Sequence, residues 1–258
     1  LFCPVFLPFS QTFIHDEIRS HTRYRVEAFS WVRRNADRFP FEPVHVPRGL
    51  ARTALYGATT RCADFDRVLA SGGFRLLHAH FGTSAIHALP FHRRHRLPLV
   101  VTFHGYDAAV LMGRGRLSPR RWRYWARSRT ILRDAALLLC ASEELRDFIA
   151  TLSGRPEATR LHRLGIDLAR FHRSSEVREV PAVAMIGRFV EKKGFDDGIR
   201  AVARVLGRGR RCHLTIVGAG PLDGALRGLV AELGIGAQVT FAGVLPPAGV
   251  AGVLARTD

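Results

Sequence analysis

Lysine is almost missing from this chain. Lys192 and Lys193 are the two present, so nearly all of its 39 cationic side chains are arginine. A net charge of +17 directs attention to nucleic acid or an anionic membrane. Frequent arginine, alanine and glycine with so little lysine is also what a GC-rich genome produces, and composition leaves both readings open. Cysteine is scarce too. Cys3, Cys62, Cys140 and Cys212 are far apart and form no C-x-x-C pair, which argues against a disulfide framework and predicts reduced thiols in a cytoplasmic protein. Cys140 and Cys212 lie in or beside apolar runs, where a thiol acts as a small hydrophobe. No stretch approaches the ~20 apolar residues of a membrane span. Leu1 opens directly into LFCPVFLP without a basic n-region, which argues against a signal peptide, and the lack of an initiator Met predicts a clipped start. Low-complexity tracts are absent. With 258 residues, 47% of them hydrophobic, and a mean hydropathy near zero, one large or two modest globular domains are expected.

Strand-length apolar runs alternate with helix-length segments. The expected strands are Phe2–Leu7, Val26–Trp31, Leu76–His80, Leu99–Phe103, Ala136–Cys140, Arg160–Leu164, Ala182–Ile186, His213–Val217 and Val239–Phe241. The expected helices are Gln11–Arg23, Ala58–Ala70, Thr83–Arg94, Arg120–Arg133, Glu143–Leu152, Asp196–Leu206, Leu222–Leu233 and Ala248–Ala255. Strands apolar on both faces and separated by helices imply an α/β fold with parallel sheets. The polar segment Phe171–Pro181 interrupts this alternation. The division is therefore an N-terminal domain over 1–172, a linker over 173–181 and a C-terminal segment over 182–258. Three clear strands are fewer than a doubly wound domain needs, so the C-terminal domain is expected to be incomplete.

The second segment reads strand, then Gly187-Arg188, then Glu191-Lys192-Lys193-Gly194, then helix. A diphosphate requires fixed cations beside backbone donors. Arginine offers a planar fork and lysine a point charge, while glycines let the backbone turn and approach closely. The next strand ends in Val217-Gly218-Ala219-Gly220-Pro221, with Pro221 expected in the first turn of the following helix. A lone G-x-G-P turn is as often a mere connection. Two such loops at the carboxyl ends of consecutive strands, where α/β folds bind ligands, are far more specific.

GRFVEKKGFDDGIRAV, LTIVGAGPLDGAL and VTFAGVLP, preceded by LLHAHFGTSAIHALP, PLVVTFHGYDA and LLLCASEELRDFI, resemble the family 4 retaining glycosyltransferases. SQTFIHDEI with HAHFG and TFHGYD is most similar to the colanic-acid and exopolysaccharide branch. The resemblance implies the GT-B fold: two Rossmann-like domains with parallel sheets facing a cleft. It implies transfer of a sugar, with retention, from a nucleoside diphosphate sugar to a lipid-linked or polysaccharide acceptor. No metal or other cofactor is implied. Arg188 and Lys193 match the pair that binds the donor diphosphate and stabilises the leaving group, and His104 matches the histidine facing the donor sugar. Gly187, Gly218 and Gly220 line the nucleotide pocket, and Gly243 and Val244 match the turn that meets the base. Ser10, Gln11 and Thr12, with His80 and Gly105, are expected on the acceptor side. The loop reads PFSQTF and lacks the glycine pair of many relatives. The family's E-x7-E motif should lie beyond Asp258, and without it these residues should not turn over.

Plainer readings stand beside these. His78 and His80 share one side of a strand and, with His104, imitate a metal site. Zinc wants three or four ligands and no carboxylate cluster supplies the rest, so no metal is expected. Asp107 reads as a cap for the next helix. Asp16 and Glu17 are as consistent with a solvated helix face as with acceptor contact. Arg114–Arg133 contains no acid and interleaves Trp122, Tyr124 and Trp125. It reads as an anionic-membrane face suited to a peripheral enzyme on the inner side of the plasma membrane, or as an arginine-rich surface with buried tryptophan; nucleic acid by stacking and charge is the weakest option. The competing function is a non-catalytic basic adaptor on the same scaffold, binding membrane or nucleic acid.

Overall fold

The computed structural model describes residues 1–8, 11–37, 39–113, 119–172 and 179–258, with the backbone alone at residues 119 and 120. The described chain forms two compact units, Leu1–Gly165 and Ile166–Asp258. The expected linker at 173–181 falls largely outside the described residues.

The first unit is a seven-stranded sheet in which every pairing is parallel. Its strands are β1 (Phe2–Phe6), β2 (Ala28–Arg33), β3 (Val44–His45), β4 (Leu77–His80), β5 (Leu99–Phe103), β6 (Leu137–Cys140) and β7 (Thr159–Leu161). Their spatial order is β3-β2-β1-β4-β5-β6-β7. Side chains alternate across the sheet. Phe2 and Phe29 join the larger core with Leu77, Ala79, Leu99, Val101, Phe103, Leu138 and Cys140. Their neighbours Cys3 and Ala28 face a second cluster with Ile14 and Ile18 of α1 (Thr12–Ser20). Strands β1 and β2 therefore bury both faces at these positions, as their apolar sequence requires.

The long helix expected over Ala58–Ala70 is two helices, α2 (Leu50–Thr59) and α3 (Ala63–Ala70). Thr60 adopts a left-handed conformation at φ 59° and ends the first. Helix α4 (Gly82–His95) follows β4, and a short α5 (Tyr106–Leu111), unanticipated from sequence, follows β5. Helices α6 (Pro119–Asp134) and α7 (Glu143–Ser153) complete the unit. At α7 the local code is plain: the Ser142 hydroxyl accepts from the Leu145 amide at 3.3 Å, Glu143 and Glu144 occupy the first turn, and Gly154 closes it at φ 65°.

The second unit holds a three-stranded parallel sheet, order β10-β9-β8, of β8 (Ala182–Ile186), β9 (His213–Val217) and β10 (Val239–Gly243). Helices α8 (Phe195–Gly207), α9 (Asp223–Glu232) and α10 (Pro247–Ala255) follow the strands in turn. Phe195, Ile199 and Val202 recur at helical spacing and are buried beneath α8, each contributing about 1.5–3 kcal/mol. Pro221 is not in the first turn of α9. Gly220, Pro221 and Leu222 form a turn, with Leu222 at the N-cap, because the loop is held against the preceding one. All four cysteines are buried and free. No helix among the described residues is long and apolar enough to cross a membrane.

Candidate functional site

The carboxyl ends of β8, β9 and β10 are knitted by backbone hydrogen bonds. The Gly187 amide donates to Val217 O at 3.0 Å, Phe189 N to Ala219 O at 3.0 Å, and Gly218 N to Gly243 O at 2.8 Å. Three expected glycines thus come together: Gly187, Gly218 and Gly243, with Gly220 beside them. A Cβ on Gly218 would lie 1.9 Å from Gly187 O, and one on Gly220 would lie 2.4 Å from Phe189 O. Part of the glycine requirement is therefore loop-on-loop packing, independent of any ligand. Val244, immediately beyond, is half exposed.

Arg188 and Lys193 project from this frame. Both are exposed, and neither side chain has an ion pair or hydrogen bond among the described residues, although Glu191, Asp196 and Asp197 are close in sequence. A single 3-10 turn, Glu191–Lys193, closes with Lys193 N donating to Val190 O and Gly194 N to Glu191 O, each at 3.0 Å. Gly194 then turns at φ 59° and α8 begins. Two unpaired cations flanking the positive end of a helix suit a polyanion such as a diphosphate.

The first unit gathers the expected histidines. His80, fully buried at the end of β4, places Nδ1 3.1 Å from His104 Nε2 at the end of β5. The His104 ring is held between Phe13, at 5.0 Å between centroids, and Phe81, at 4.5 Å. Burial, then the neighbouring His80, lowers its pKa to about 4, so the ring is neutral at physiological pH. Gly105 turns the chain at φ 98° into α5. Gln11 and Thr12 stand at the start of α1, Gln11 as its N-cap residue and with a buried Oε1 that finds no hydrogen-bond partner among the described residues. Ser10 lies outside the described residues.

The sequence reading denied these histidines a carboxylate, and this is corrected. Glu17, distant from both in sequence but brought over by α1, places Oε1 3.4 Å from His80 Nε2. Glu17, His78 and His80 can offer ligand atoms within 4.8 Å of one another. His78 Nε2 is meanwhile 2.7 Å from Thr102 Oγ1. No sequence signal pairs Glu17 with a strand some sixty positions away; the buried face of α1 is what does so.

Asp107 was expected to cap the helix that follows it, but it lies inside α5 and ties two loops together. Its carboxylate accepts from Gly82 N at 2.8 Å and from His104 N and Ala108 N at 3.2 Å. Burial raises its pKa while these bonds oppose the rise. Asp107→Ala leaves two loop amides without partners and is expected to cost about 2–4 kcal/mol in urea unfolding. A change below 0.5 kcal/mol would remove its linking role.

The reading of buried tryptophans in α6 is also corrected. Trp122 and Trp125 are 57% and 40% exposed, and the buried aromatic is Tyr124 at 1%. Arg127, Arg129 and Arg133 share the solvent side of this helix. Residues 114–118 of the basic stretch lie outside the described residues.

Comparison with known proteins gives the chain a family and a fold. Residues 18–167 match the family described as glycosyl transferase 4-like domain, and residues 169–258 match glycosyl transferases group 1. Alpha-D-kanosaminyltransferase of Streptomyces kanamyceticus is 29% identical over 190 residues, covering 66% of this chain and 48% of that protein. WcaL of Salmonella typhimurium, assigned to colanic acid biosynthesis, is 27% identical over 184 residues, 70% of this chain and 44% of its own. The chain thus spans about half the length of these curated relatives. Among solved structures, HepE of Anabaena in complex with UDP superposes with a TM-score of 0.72 at 17% identity, over 98% of this chain and 72% of that one. The α/β architecture with one seven-stranded and one three-stranded parallel sheet is that of the GT-B fold. With more than half of its residues matching that family, this chain belongs to the glycosyl transferase 4-like proteins.

Proposed function

We propose that the protein of which these residues are part transfers a sugar, with retention, from a nucleoside diphosphate sugar to a glycan or lipid-linked glycan. The observation that carries this reading is the pair of unpartnered cations, Arg188 and Lys193, on a backbone-locked frame at the strand ends of the second unit. Fixed cations stabilise a departing diphosphate without a bound metal. No protein nucleophile is assigned; a donor phosphate oxygen takes the acceptor proton. A UDP-sugar is the first donor class to test, because HepE was solved with UDP and with UDP-glucose. The exopolysaccharide setting rests on the motifs and on WcaL. Nucleotide release by the full-length protein across UDP-, GDP- and other sugar donors tests the reading. Release from one donor without added Mg²⁺ or Mn²⁺ is the expected result; no release from any donor, with any acceptor, would favour a basic adaptor.

We also propose that α6 meets an anionic membrane at the cytoplasmic face. Exposed Trp122, Trp125 and Arg129 recur at helical spacing and form an aromatic and basic side suited to lipid headgroups, with exposed Arg127 on its flank. Each arginine near such a surface contributes about 1 kcal/mol. Arg127→Ala with Arg129→Ala should lower partition onto phosphatidylserine-containing vesicles about 30-fold. Unchanged partition would sink the membrane face.

A further inference from the structure

The glycosyltransfer reading gives His104 a ligand to meet but does not say which way its hydrogen bond points. The surroundings of that ring do. Glu17 is partly buried at the inner side of α1; burial raises its pKa, yet His80 and the nearby histidines outweigh burial and hold it below its ordinary value. It is therefore a carboxylate at neutral pH and can only accept. Its Oε1 faces His80 Nε2 at 3.4 Å, near enough for the charge to select the proton's position although longer than a settled N–H···O bond. His80 is fully buried between β-sheet and α1 and stacks on His104 with centroids 5.4 Å apart and planes 15° from parallel. Its second nitrogen, Nδ1, meets His104 Nε2 at 3.1 Å.

Where both imidazoles are neutral each carries one proton, and each step fixes the next; a doubly protonated His80 would instead donate from Nδ1 to His104 Nε2 and reverse the chain. The carboxylate keeps the His80 proton on Nε2. His80 Nδ1 is then a bare acceptor, and His104 must supply the proton from its Nε2. That leaves His104 Nδ1 as a lone pair. This atom is buried and has no hydrogen-bond partner among the described residues. A buried polar atom without a partner costs about 1–3 kcal/mol, a cost that a bound hydroxyl relieves.

We propose that Glu17 and His80 are positioning residues that lock His104 in the Nε2–H tautomer, so that its Nδ1 accepts a hydrogen bond from a substrate hydroxyl. Glu17 and His80 act through His104 and need not touch substrate. The choice of ligand group rests on the glycosyltransfer reading; the tautomer does not. The same atoms also invite a different occupant, because Glu17, His78 and His80 are spaced to approach a divalent ion. An ion on His80 Nε2 would reverse the chain, placing the His80 proton on Nδ1 and pointing it at His104.

Imidazole ¹⁵N spectra of the full-length protein at neutral pH, assigned with the variants His80→Phe and His104→Gln, decide the matter. The expected spectrum has protonated Nε2 and bare Nδ1 in both His80 and His104. In Glu17→Gln the amide can donate to His80 Nε2, so both rings are expected to switch tautomer, and kcat for transfer to fall about tenfold while donor KM changes less than threefold. Glu17→Asp is expected to restore the original tautomers. A His104 proton on Nδ1 in the unaltered protein overturns the proposal, whatever the turnover. So do tautomers indifferent to Glu17→Gln, or one equivalent of tightly held Zn²⁺ lost on replacing Glu17. Failure of the donor panel leaves these spectra unchanged and strikes only the functional reading.

Discussion

Arg188→Ala and Lys193→Ala should each reduce kcat of the full-length protein about 10²–10³-fold, the loss typical of removing one preorganised group that stabilises developing charge. The physical basis is their idleness in this structure. Both side chains are exposed and unpaired among the described residues, while the backbone beneath them is fixed by the bonds from Lys193 N and Gly194 N and by the register of Gly187 on Val217. A cation held on a rigid backbone without a carboxylate partner is ready for an anionic ligand. Arg188→Lys keeps the charge but not the planar fork, and should recover only part of the loss. Steady-state release of nucleotide, with donor affinity measured separately by calorimetry, checks this. If both alanine variants bind and turn over as the parent does, the phosphate role of this pair is wrong.

The largest expected effect on stability is at Gly218. Its φ of 139° is a backbone conformation that side chains rarely adopt, and a Cβ there would sit 1.9 Å from Gly187 O. Backbone strain and overpacking each cost about 1–3 kcal/mol. Gly218→Ala is therefore expected to destabilise the second unit by about 3–5 kcal/mol and to abolish donor binding with it. Gly243→Ala is the control: its φ is 66°, but a Cβ would meet nothing within 4 Å, so strain alone, about 1–2 kcal/mol, is expected. Chemical unfolding of both variants makes the comparison. Equal effects would show that loop-on-loop packing does not set the glycine at 218.

Strand positions were legible because burial on both faces leaves continuous apolar sequence. Leu99–Phe103, Ala182–Ile186 and His213–Val217 emerge with the bounds expected. Elements too short for a period were not legible: β3 has two residues and α5 six. The break at Thr60 was missed because a threonine in the left-handed region carries no glycine or proline to announce it. The glycine-rich loops were legible as turns at the strand ends. That they interlock backbone to backbone was not, since no pattern in one loop names its contact in another. Glu17 was hidden for a related reason. Helical spacing shows that it lies on α1, but only the packed sheet shows which histidine it meets. Trp122 and Trp125 mislead in the opposite direction: their spacing fits a core stripe, yet the offset that buries Tyr124 turns them outward.

The knitting of the second unit's strand ends has an evolutionary consequence. The bonds that hold Gly187, Phe189, Gly218 and Gly243 in place use main-chain atoms, so they are indifferent to the side chains between them. Ala219, Val244 and Val190 can be exchanged while the frame persists. Changing what such a surface prefers to hold then requires few genetic steps and little sacrifice of folding.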